Sequence, residues 1–384
     1  MQVPAPRKGF NLKLYYFVYF TILAAFLPYL PLYLREHGVR ELQIGSLMAI
    51  GPLVTIVAQP FWGMISDYLQ NQVKVLRFTL TLGMLTMLLF TVSTKLWWLT
   101  VVMAVYMFFQ SPNVPLADSI ALGYLKSSGE GFGRVRLWGS LGFSVAVLAM
   151  GQFFSVAGLG YLFAVTALLF LLSLLATSGL PQGDAAPRRK LGREAWGLLA
   201  NRSFLVFVTF TCLVQITFSA YNTFFSLYFT SLGGATNLLG TAWMLSAISE
   251  IPFFHYGEVL LRRYGPANLL RFAAIVFGAR WVIYPLLTSP GAVLAAQLLQ
   301  GLSFGLFYLA AVHYASTLSP RELLTTGQSL FAAITFGIGS TLGSFVGGIL
   351  VQYLGLNGLF WSLAVIAFTA VGFFTLAHSG AAGE

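Results

Sequence analysis

Long apolar stretches separated by short polar connections make up most of the chain. Twelve of them reach about 20 residues, the length at which a helix crosses the hydrocarbon core of a bilayer. They lie roughly at residues 11–34, 42–66, 74–93, 97–121, 135–155, 159–179, 204–230, 237–261, 267–288, 290–317, 326–350 and 356–378. Apolar residues run continuously through each stretch rather than alternating, which is typical of membrane helices and not of barrel strands. The pattern predicts an all-α membrane protein with twelve transmembrane helices.

One polar connection, residues 181–203, is much longer than the others and separates the first six stretches from the last six. It is basic and punctuated by proline and glycine, as linkers commonly are. We therefore predict two six-helix bundles, residues 1–180 and 204–384, joined by a cytoplasmic linker. A weak internal repeat supports pseudo-symmetric halves, because the fifth stretch contains GSLG (139–142) and the eleventh contains GSTLG (339–343). Paired six-helix bundles are typical of secondary transporters that work by alternating access.

Composition agrees with a membrane protein, since 58% of the residues are hydrophobic and only 8% are charged, against about 25% charged in soluble domains. The net charge of +10 does not indicate a nucleic-acid partner, because the basic residues recur in the short connections. With the N-terminus inside, the inner segments hold seventeen lysines and arginines, and the outer ones hold three, Arg35, Arg40 and Lys95. That bias predicts that both termini are cytoplasmic. The leading hypothesis places this multi-pass protein in a bacterial-type inner membrane. We expect it to be a monomer surrounded by lipid.

Other classes of function lack their chemistry in this sequence. There is no Gly-x4-Gly-Lys-Ser/Thr loop, so nucleotide hydrolysis does not power the chain. Cys212 is the single cysteine, which leaves no intrachain disulfide. His255 and His313 have no second ligand type beside them, so neither a metal nor a cofactor is expected. An intramembrane enzyme is an alternative, but Ser303 has no evident base. A non-transporting receptor is another, and it would be expected to carry a large soluble domain.

Two pairs of opposite charges fall inside the apolar stretches. Asp118 and Arg136 each lie nine residues from the turn near position 127, and Glu250 and Arg280 each lie fifteen residues from position 265. Two residues that lie equally far from the turn of a helical hairpin lie at the same depth in the membrane, because each residue advances a helix by about 1.5 Å. Ionisable groups inside a membrane are costly and mark functional sites. The alternative is a static ion pair in each half that only pins two helices together.

The loop after the second stretch, from Gly63 to Lys74, reads GMISDYLQNQVK. It resembles the Gly-x-x-x-Asp loop of the major facilitator superfamily in Gly63 and Asp67, although Tyr68 replaces the usual basic residue and Lys74 supplies the later one. The resemblance implies a latch at the cytoplasmic face, so Gly63, Asp67 and Lys74 are the predicted gating residues. The alternative is that Asp67 only caps the third membrane helix at its N-terminal end.

Further motifs resemble one branch of that superfamily, which contains lactose permease and the bacterial phenylpropionate and nucleoside proton symporters. They are the double-proline exit from the first helix, LPYLPL (27–32), the end of the second helix, QPFWG (59–63), and the entry to the fifth, FGRVR (132–136). The resemblance implies that Asp118 and Arg136 bind the substrate.

The tenth stretch departs from the lactose-type pattern, because Gln300 and Ser303 stand where that pattern has a histidine and a glutamate. It is more similar to the phenylpropionate-type relatives. Asp118 and Glu250 are left as the deeply placed proton acceptors, and by resemblance Arg280 belongs to the proton-coupling group. We hypothesise that Glu250 carries the coupled proton and that Arg280 switches its uptake and release, since burial favours the neutral acid and a nearby cation favours the charged form.

The predicted substrate site combines these charges with polar and aromatic residues of the spans, because lipid offers an amide no partner. The predicted substrate-binding residues are Asp118, Arg136, Asn113, Trp138, Phe143 and Gln300. An arginine among aromatic residues suits an aromatic carboxylate of the phenylpropionate type, because a guanidinium binds carboxylate as a fork. A sugar or a nucleoside is the alternative, because Asp118 is a good partner for hydroxyls. The sequence thus predicts proton-coupled symport of a small organic solute.

Overall fold

The computed structural model describes residues 6–128, 132–181, 194–320 and 323–381, and every regular element within these ranges is helical. The α-helices are α1 (Pro6–Phe26), α2 (Leu30–Glu36), α3 (Glu41–Leu69), α4 (Gln72–Leu89), α5 (Leu96–Gln110), α6 (Asn113–Ser128), α7 (Phe132–Ala157), α8 (Leu162–Ala176), α9 (Glu194–Ala200), α10 (Arg202–Ser231), α11 (Thr236–His255), α12 (Gly257–Tyr264), α13 (Pro266–Ile283), α14 (Pro290–Gln297), α15 (Leu306–Leu318), α16 (Leu324–Ala332) and α17 (Ser340–Ala381). Two π-helical segments, Gly301–Gly305 and Ala333–Gly339, precede α15 and α17.

Ten helical segments of the described chain are long and apolar enough to cross a membrane. The last of them, Thr326–Ala377, covers two predicted spans, which are separated at Gly355 by a φ of 70°. The eighth predicted span corresponds to α11, which is not among the ten. Polar residues such as Asn237 and Glu250 lower the mean hydropathy of this helix. Every predicted span thus falls on helical structure, and the predicted all-α membrane fold is confirmed.

The contacts divide the chain into two compact units. Unit 1 consists of Met1–Val39 and Leu53–Arg189, and unit 2 consists of Arg40–Pro52 and Lys190–Glu384. The main division falls inside the predicted linker, of which residues 182–193 lie outside the described residues. The first part of α3 belongs to unit 2 and the rest of that helix to unit 1. The bundle boundaries inferred from the sequence stay a prediction.

The GSLG and GSTLG repeats lie at close helix crossings within each unit. A Cβ added to Gly142 of α7 would lie 2.9 Å from the Cα of Phe17 in α1. A Cβ added to Gly343 of α17 would lie 3.0 Å from the carbonyl carbon of Ile216 in α10. Each added atom would meet backbone, which cannot move aside as a flexible side chain does. Both repeats therefore let one helix of the unit pack directly against the backbone of another.

Gly142→Ala is expected to destabilise the protein by about 1–3 kcal/mol, because the new methyl group pushes the backbone of α1 away from α7. Gly133→Ala on the same helix is the matched control, since nothing lies within 4 Å of a Cβ at Gly133. Alanine is favoured over glycine inside a helix by roughly 0.5–1 kcal/mol, so the control is expected to be neutral or slightly stabilised. Melting temperatures in detergent would compare the two variants. Equal melting temperatures for Gly142→Ala and Gly133→Ala would contradict the close crossing of α1 and α7.

Candidate functional site

Tyr16 of α1 contacts both charged residues of the predicted substrate site. Its hydroxyl donates to Oδ1 of Asp118 in α6. The guanidinium carbon of Arg136 in α7 lies 5.8 Å from the Tyr16 ring centroid and 4.3 Å from that of Phe20. In the part of the chain that the structure describes, no guanidinium nitrogen of Arg136 lies within 4.0 Å of a carboxylate oxygen of Asp118. The two charged residues therefore share Tyr16 as a neighbour, Asp118 at its hydroxyl and Arg136 over its ring, without forming a direct ion pair.

Glycine makes room for the Arg136 side chain. A Cβ added to Gly139 would lie 2.8 Å from the ring of Phe20 and 2.9 Å from Nη1 of Arg136. Gly139 follows Arg136 by three residues, which is nearly one helical turn, so it lies beside the arginine on α7. The glycine leaves room for the guanidinium over the Phe20 ring, in a cation–π contact.

Asn113 is fully buried at the start of α6, with 0% exposure. Thr79 Oγ1 of α4 donates to Asn113 Oδ1 at 2.6 Å, and Asn113 Nδ2 donates to the Phe109 carbonyl oxygen at 3.3 Å. Both ends of the predicted substrate amide are therefore engaged by the protein. Its geometry is that of a residue holding α4 and α6 together.

The two predicted aromatic ligands of α7 differ in position. Phe143 is half-buried and follows Arg136 by seven residues, two helical turns, so it lies on the same side of α7 as the arginine. Trp138 is 39% exposed, and two residues turn a helix by about 200°. The helix therefore directs Trp138 away from the side of α7 that carries Arg136.

In unit 2, Arg280 of α13 is fully buried, with 0% exposure. Its two Nη atoms donate to Gln300 Oε1, Gln297 Oε1 (2.8 Å), Tyr221 OH (3.0 Å), Tyr284 OH (3.1 Å) and Ser303 Oγ (3.4 Å). The guanidinium carbon also lies 4.7 Å from the Tyr221 ring centroid. A charge that loses its hydration needs such a set of acceptors to stay in the interior.

Gln300 separates the two predicted proton-coupling residues. Its Oε1 accepts from Arg280, and its Nε2 donates to Glu250 Oε1 at 3.2 Å. Among the residues that the structure describes, no guanidinium nitrogen of Arg280 lies within 4.0 Å of a carboxylate oxygen of Glu250. One amide therefore touches both groups of the couple, although the sequence assigned Gln300 to the substrate.

The backbone after Gln300 brings α11 close to the couple. The π-helical segment Gly301–Gly305 begins there, and Gly301 N donates to Ser249 Oγ at 3.0 Å. A Cβ added to Gly301 would lie 2.7 Å from the carbonyl carbon of Ser249. Glycine thus allows the close approach that places Glu250, the next residue of α11, beside Gln300. Short π segments inside α-helices are frequent at functional sites.

Several residues of both clusters were not assigned roles from the sequence. Tyr16 and Tyr284 gave no polar signal, because tyrosine in an apolar stretch is usually a packing residue. The one available sign for Tyr284 is its spacing of four residues from Arg280, which places both on one helix face.

Four buried N–H donors near Tyr221 have no partner among the described residues: Arg280 Nε, Gln297 Nε2, Trp281 Nε1 and Trp243 Nε1.

The predicted gating residues lie where α3 passes into α4. Gly63 and Asp67 are inside α3, and Lys74 is in the first turn of α4. Asn71 caps α4, since its side chain accepts from Lys74 N at 3.0 Å. The alternative in which Asp67 is the cap of this helix is therefore wrong.

Known proteins similar to this chain are transporters. A maltose permease of Geobacillus stearothermophilus is 32% identical over 375 residues, which cover 97% of this chain and 95% of that protein. A probable 3-phenylpropionic acid transporter of Escherichia coli (strain K12) is 28% identical, with 94% and 95% covered. The crystal structure of the nucleoside transporter NupG superposes with a TM-score of 0.85 at 19% identity, over 97% of this chain and 98% of that one. That likeness shows the fold.

The relatives and the fold together exclude an enzyme and establish a multi-pass transporter. The resemblance to the major facilitator superfamily inferred from the GMISD, QPFWG and FGRVR motifs is confirmed. The family model described as "MFS_1 like family" matches residues 10–362, and the chain belongs to that family of major facilitator superfamily transporters.

Proposed function

We propose that this transporter is a proton-coupled symporter of a small organic solute, working by alternating access of two six-helix bundles, residues 1–180 and 204–384. In this proposal it functions as a monomer in a bacterial-type inner membrane, with both termini cytoplasmic. Asp118 and Arg136 bind the solute, and Glu250, Gln300 and Arg280 couple it to the proton. Gly63, Asp67 and Lys74 form the cytoplasmic latch.

The arrangement of Asp118 and Arg136 carries the proposal for the solute. Both contact Tyr16 but do not pair with each other, and the Arg136 guanidinium donates no hydrogen bond to another described residue. The site therefore offers a carboxylate acceptor and free guanidinium donors beside two aromatic rings. A hydroxyl group both donates and accepts, and the apolar face of a sugar ring packs on an aromatic ring. These features favour a hydroxylated solute of the oligosaccharide or nucleoside type, and the maltose permease relative agrees with that class.

An aromatic carboxylate is the second candidate. The guanidinium carbon of Arg136 lies over the Phe20 ring, 4.3 Å from its centroid, so a carboxylate fork and an aromatic contact are available together. The relative named as a probable 3-phenylpropionic acid transporter supports this class. A carboxylate ligand would be repelled by an ionised Asp118, so this solute requires a proton on Asp118 while it is bound.

Uptake of labelled maltose, uridine and 3-phenylpropionate into proteoliposomes, with an imposed proton gradient and with or without a protonophore, tests the proposal. We expect accumulation of one class of solute, and we expect the protonophore to abolish it.

Arg136→Gln is expected to raise the KM for the transported solute at least about tenfold, because a hydrogen bond to a charged group is worth roughly 1.5–3 kcal/mol. Arg134→Gln, two residues away on the exposed side of α7, is the control and should leave the KM unchanged. Accumulation that survives the protonophore would contradict proton coupling, and an unchanged KM in Arg136→Gln would contradict the solute site.

A further inference from the structure

The α5–α6 segment is interrupted in the middle of one membrane span. α5 ends at Gln110 and α6 begins at Asn113, with Ser111 and Pro112 between them. The span continues through the interruption, since Leu96–Leu125 is one apolar segment long enough to cross a membrane. Backbone groups freed by such a break need new partners, because hydrocarbon supplies none.

Two prolines determine which carbonyl groups are freed. In a continuous helix the N–H of residue 112 would donate to the carbonyl of residue 108, and the N–H of residue 115 to that of residue 111. Both positions are proline, which has no N–H. The carbonyl oxygens of Phe108 and Ser111 therefore lose their helical donors.

Side chains of α3 replace those two donors one for one. Trp62 Nε1 donates to the Phe108 carbonyl oxygen at 2.9 Å, and Gln59 Nε2 donates to the Ser111 carbonyl oxygen at 3.2 Å. Trp62 is only 6% exposed, and its ring packs 5.6 Å from that of Phe108. The indole N–H thus donates to the carbonyl that the backbone N–H of residue 112 would bond in a continuous helix.

The two carbonyls between them also accept side-chain donors. Asn113 Nδ2 donates to the Phe109 oxygen at 3.3 Å, and Tyr19 OH donates to the Gln110 oxygen at 3.4 Å. Four consecutive carbonyls at the break are therefore bonded by side chains. Two of these donors, Gln59 and Trp62, come from α3.

We infer that Gln59 and Trp62 are positioning residues of the transporter, which stabilise the broken α5–α6 span in the shape that presents Asp118 to Tyr16. The junction is the point from which α6 departs, and Asp118 lies in its second turn. A donor missing at the junction lets α6 shift or draw in water. The Asp118 carboxyl is then released from the Tyr16 hydroxyl.

A double-substitution cycle between donor and proline tests the inference without a known solute. Trp62→Phe keeps the aromatic ring and removes the N–H, whereas Pro112→Ala restores a backbone N–H facing the Phe108 carbonyl. The readout is the rate at which dicyclohexylcarbodiimide labels Asp118, measured by peptide mass spectrometry, with Glu250 of unit 2 as the internal reference. We expect Trp62→Phe to raise Asp118 labelling about fivefold, the equivalent of one ordinary hydrogen bond, without changing Glu250. In the Pro112→Ala background, Trp62→Phe should have no further effect.

Trp98→Phe is the matched control. Trp98 Nε1 also donates to a helix carbonyl, that of Leu89, at 2.8 Å, but residue 93 is Ser93 and not proline. It should leave Asp118 labelling unchanged. Gln59→Leu with Pro115→Ala repeats the cycle at the second carbonyl, so a folding failure of one variant does not end the test. Equal effects of Trp62→Phe in both backgrounds would overturn the inference, as would a lower melting temperature with unchanged Asp118 labelling.

Discussion

Glu250→Gln is expected to abolish solute accumulation driven by a proton gradient and to leave solute exchange across the membrane intact. Glu250 is half-buried, and its Oε1 accepts from Gln300. Glutamine has the same size and offers Gln300 an acceptor oxygen, so the contact survives, but an amide neither binds nor releases a proton. One proton driven through 100 mV is worth about 2.3 kcal/mol, which corresponds to about 50-fold accumulation. We expect the variant to reduce that ratio to about one.

Proteoliposomes with an imposed potential, loaded or unloaded with the transported solute, measure accumulation and exchange separately. Glu258→Gln is the control, because Glu258 is 87% exposed and pairs only at the surface with Arg262, at 3.6 Å. The control should accumulate solute as the unaltered protein does. Accumulation by Glu250→Gln at the normal level would exclude Glu250 as the proton carrier.

Arg280→Met is expected to lower the free energy of unfolding by about 3 kcal/mol or more, because it removes donors from several buried acceptors. The side-chain oxygen of Gln300, at 4% exposure, has no other donor among the described residues, and that of Gln297, at 0% exposure, keeps only the Tyr221 hydroxyl. Methionine fills the volume but donates nothing. The change is expected to abolish transport as well, since Gln300 loses the group that orients its amide toward Glu250. Melting in detergent, together with the exchange assay, checks both effects.

Two further variants separate charge from geometry. Arg280→Lys keeps the charge, but an ammonium cannot present the planar fork that bonds Gln297 and Gln300 at once, so we expect an intermediate loss of stability and little transport. Arg263→Met removes an exposed arginine from the end of α12 and should change stability by no more than about 0.5 kcal/mol. Normal transport by Arg280→Lys would show that the charge alone suffices.

Counting residues from a turn correctly indicates which charges lie near one another. Asp118 and Arg136 both reach Tyr16, and Glu250 and Arg280 both reach Gln300. The count works because a helix has a constant rise per residue. It does not identify the group between the charges, since that depends on how each helix is rotated about its axis.

Small differences in helix rotation also decide which predicted ligands face the charges. Phe143 follows Arg136 by two full turns, whereas Trp138 lies on another side of α7. Asn113 looks like a free amide from the sequence, but Thr79 from α4 occupies its oxygen. Such contacts join residues far apart in the chain, and a single sequence carries no signal for them.

The amino-acid sequence by itself determined the all-α membrane fold and the superfamily. It did so because only helices or closed barrels satisfy a backbone in hydrocarbon, and because the Gly63–Asp67, QPFWG and FGRVR motifs are local. The tertiary structure alone decided the hydrogen-bond partners: Gln300 between Glu250 and Arg280, Tyr16 beside Asp118, and Trp62 at the carbonyl that Pro112 leaves free. Those pairings require helices separated by tens of residues to meet at a particular rotation, and the packing of side chains sets that rotation.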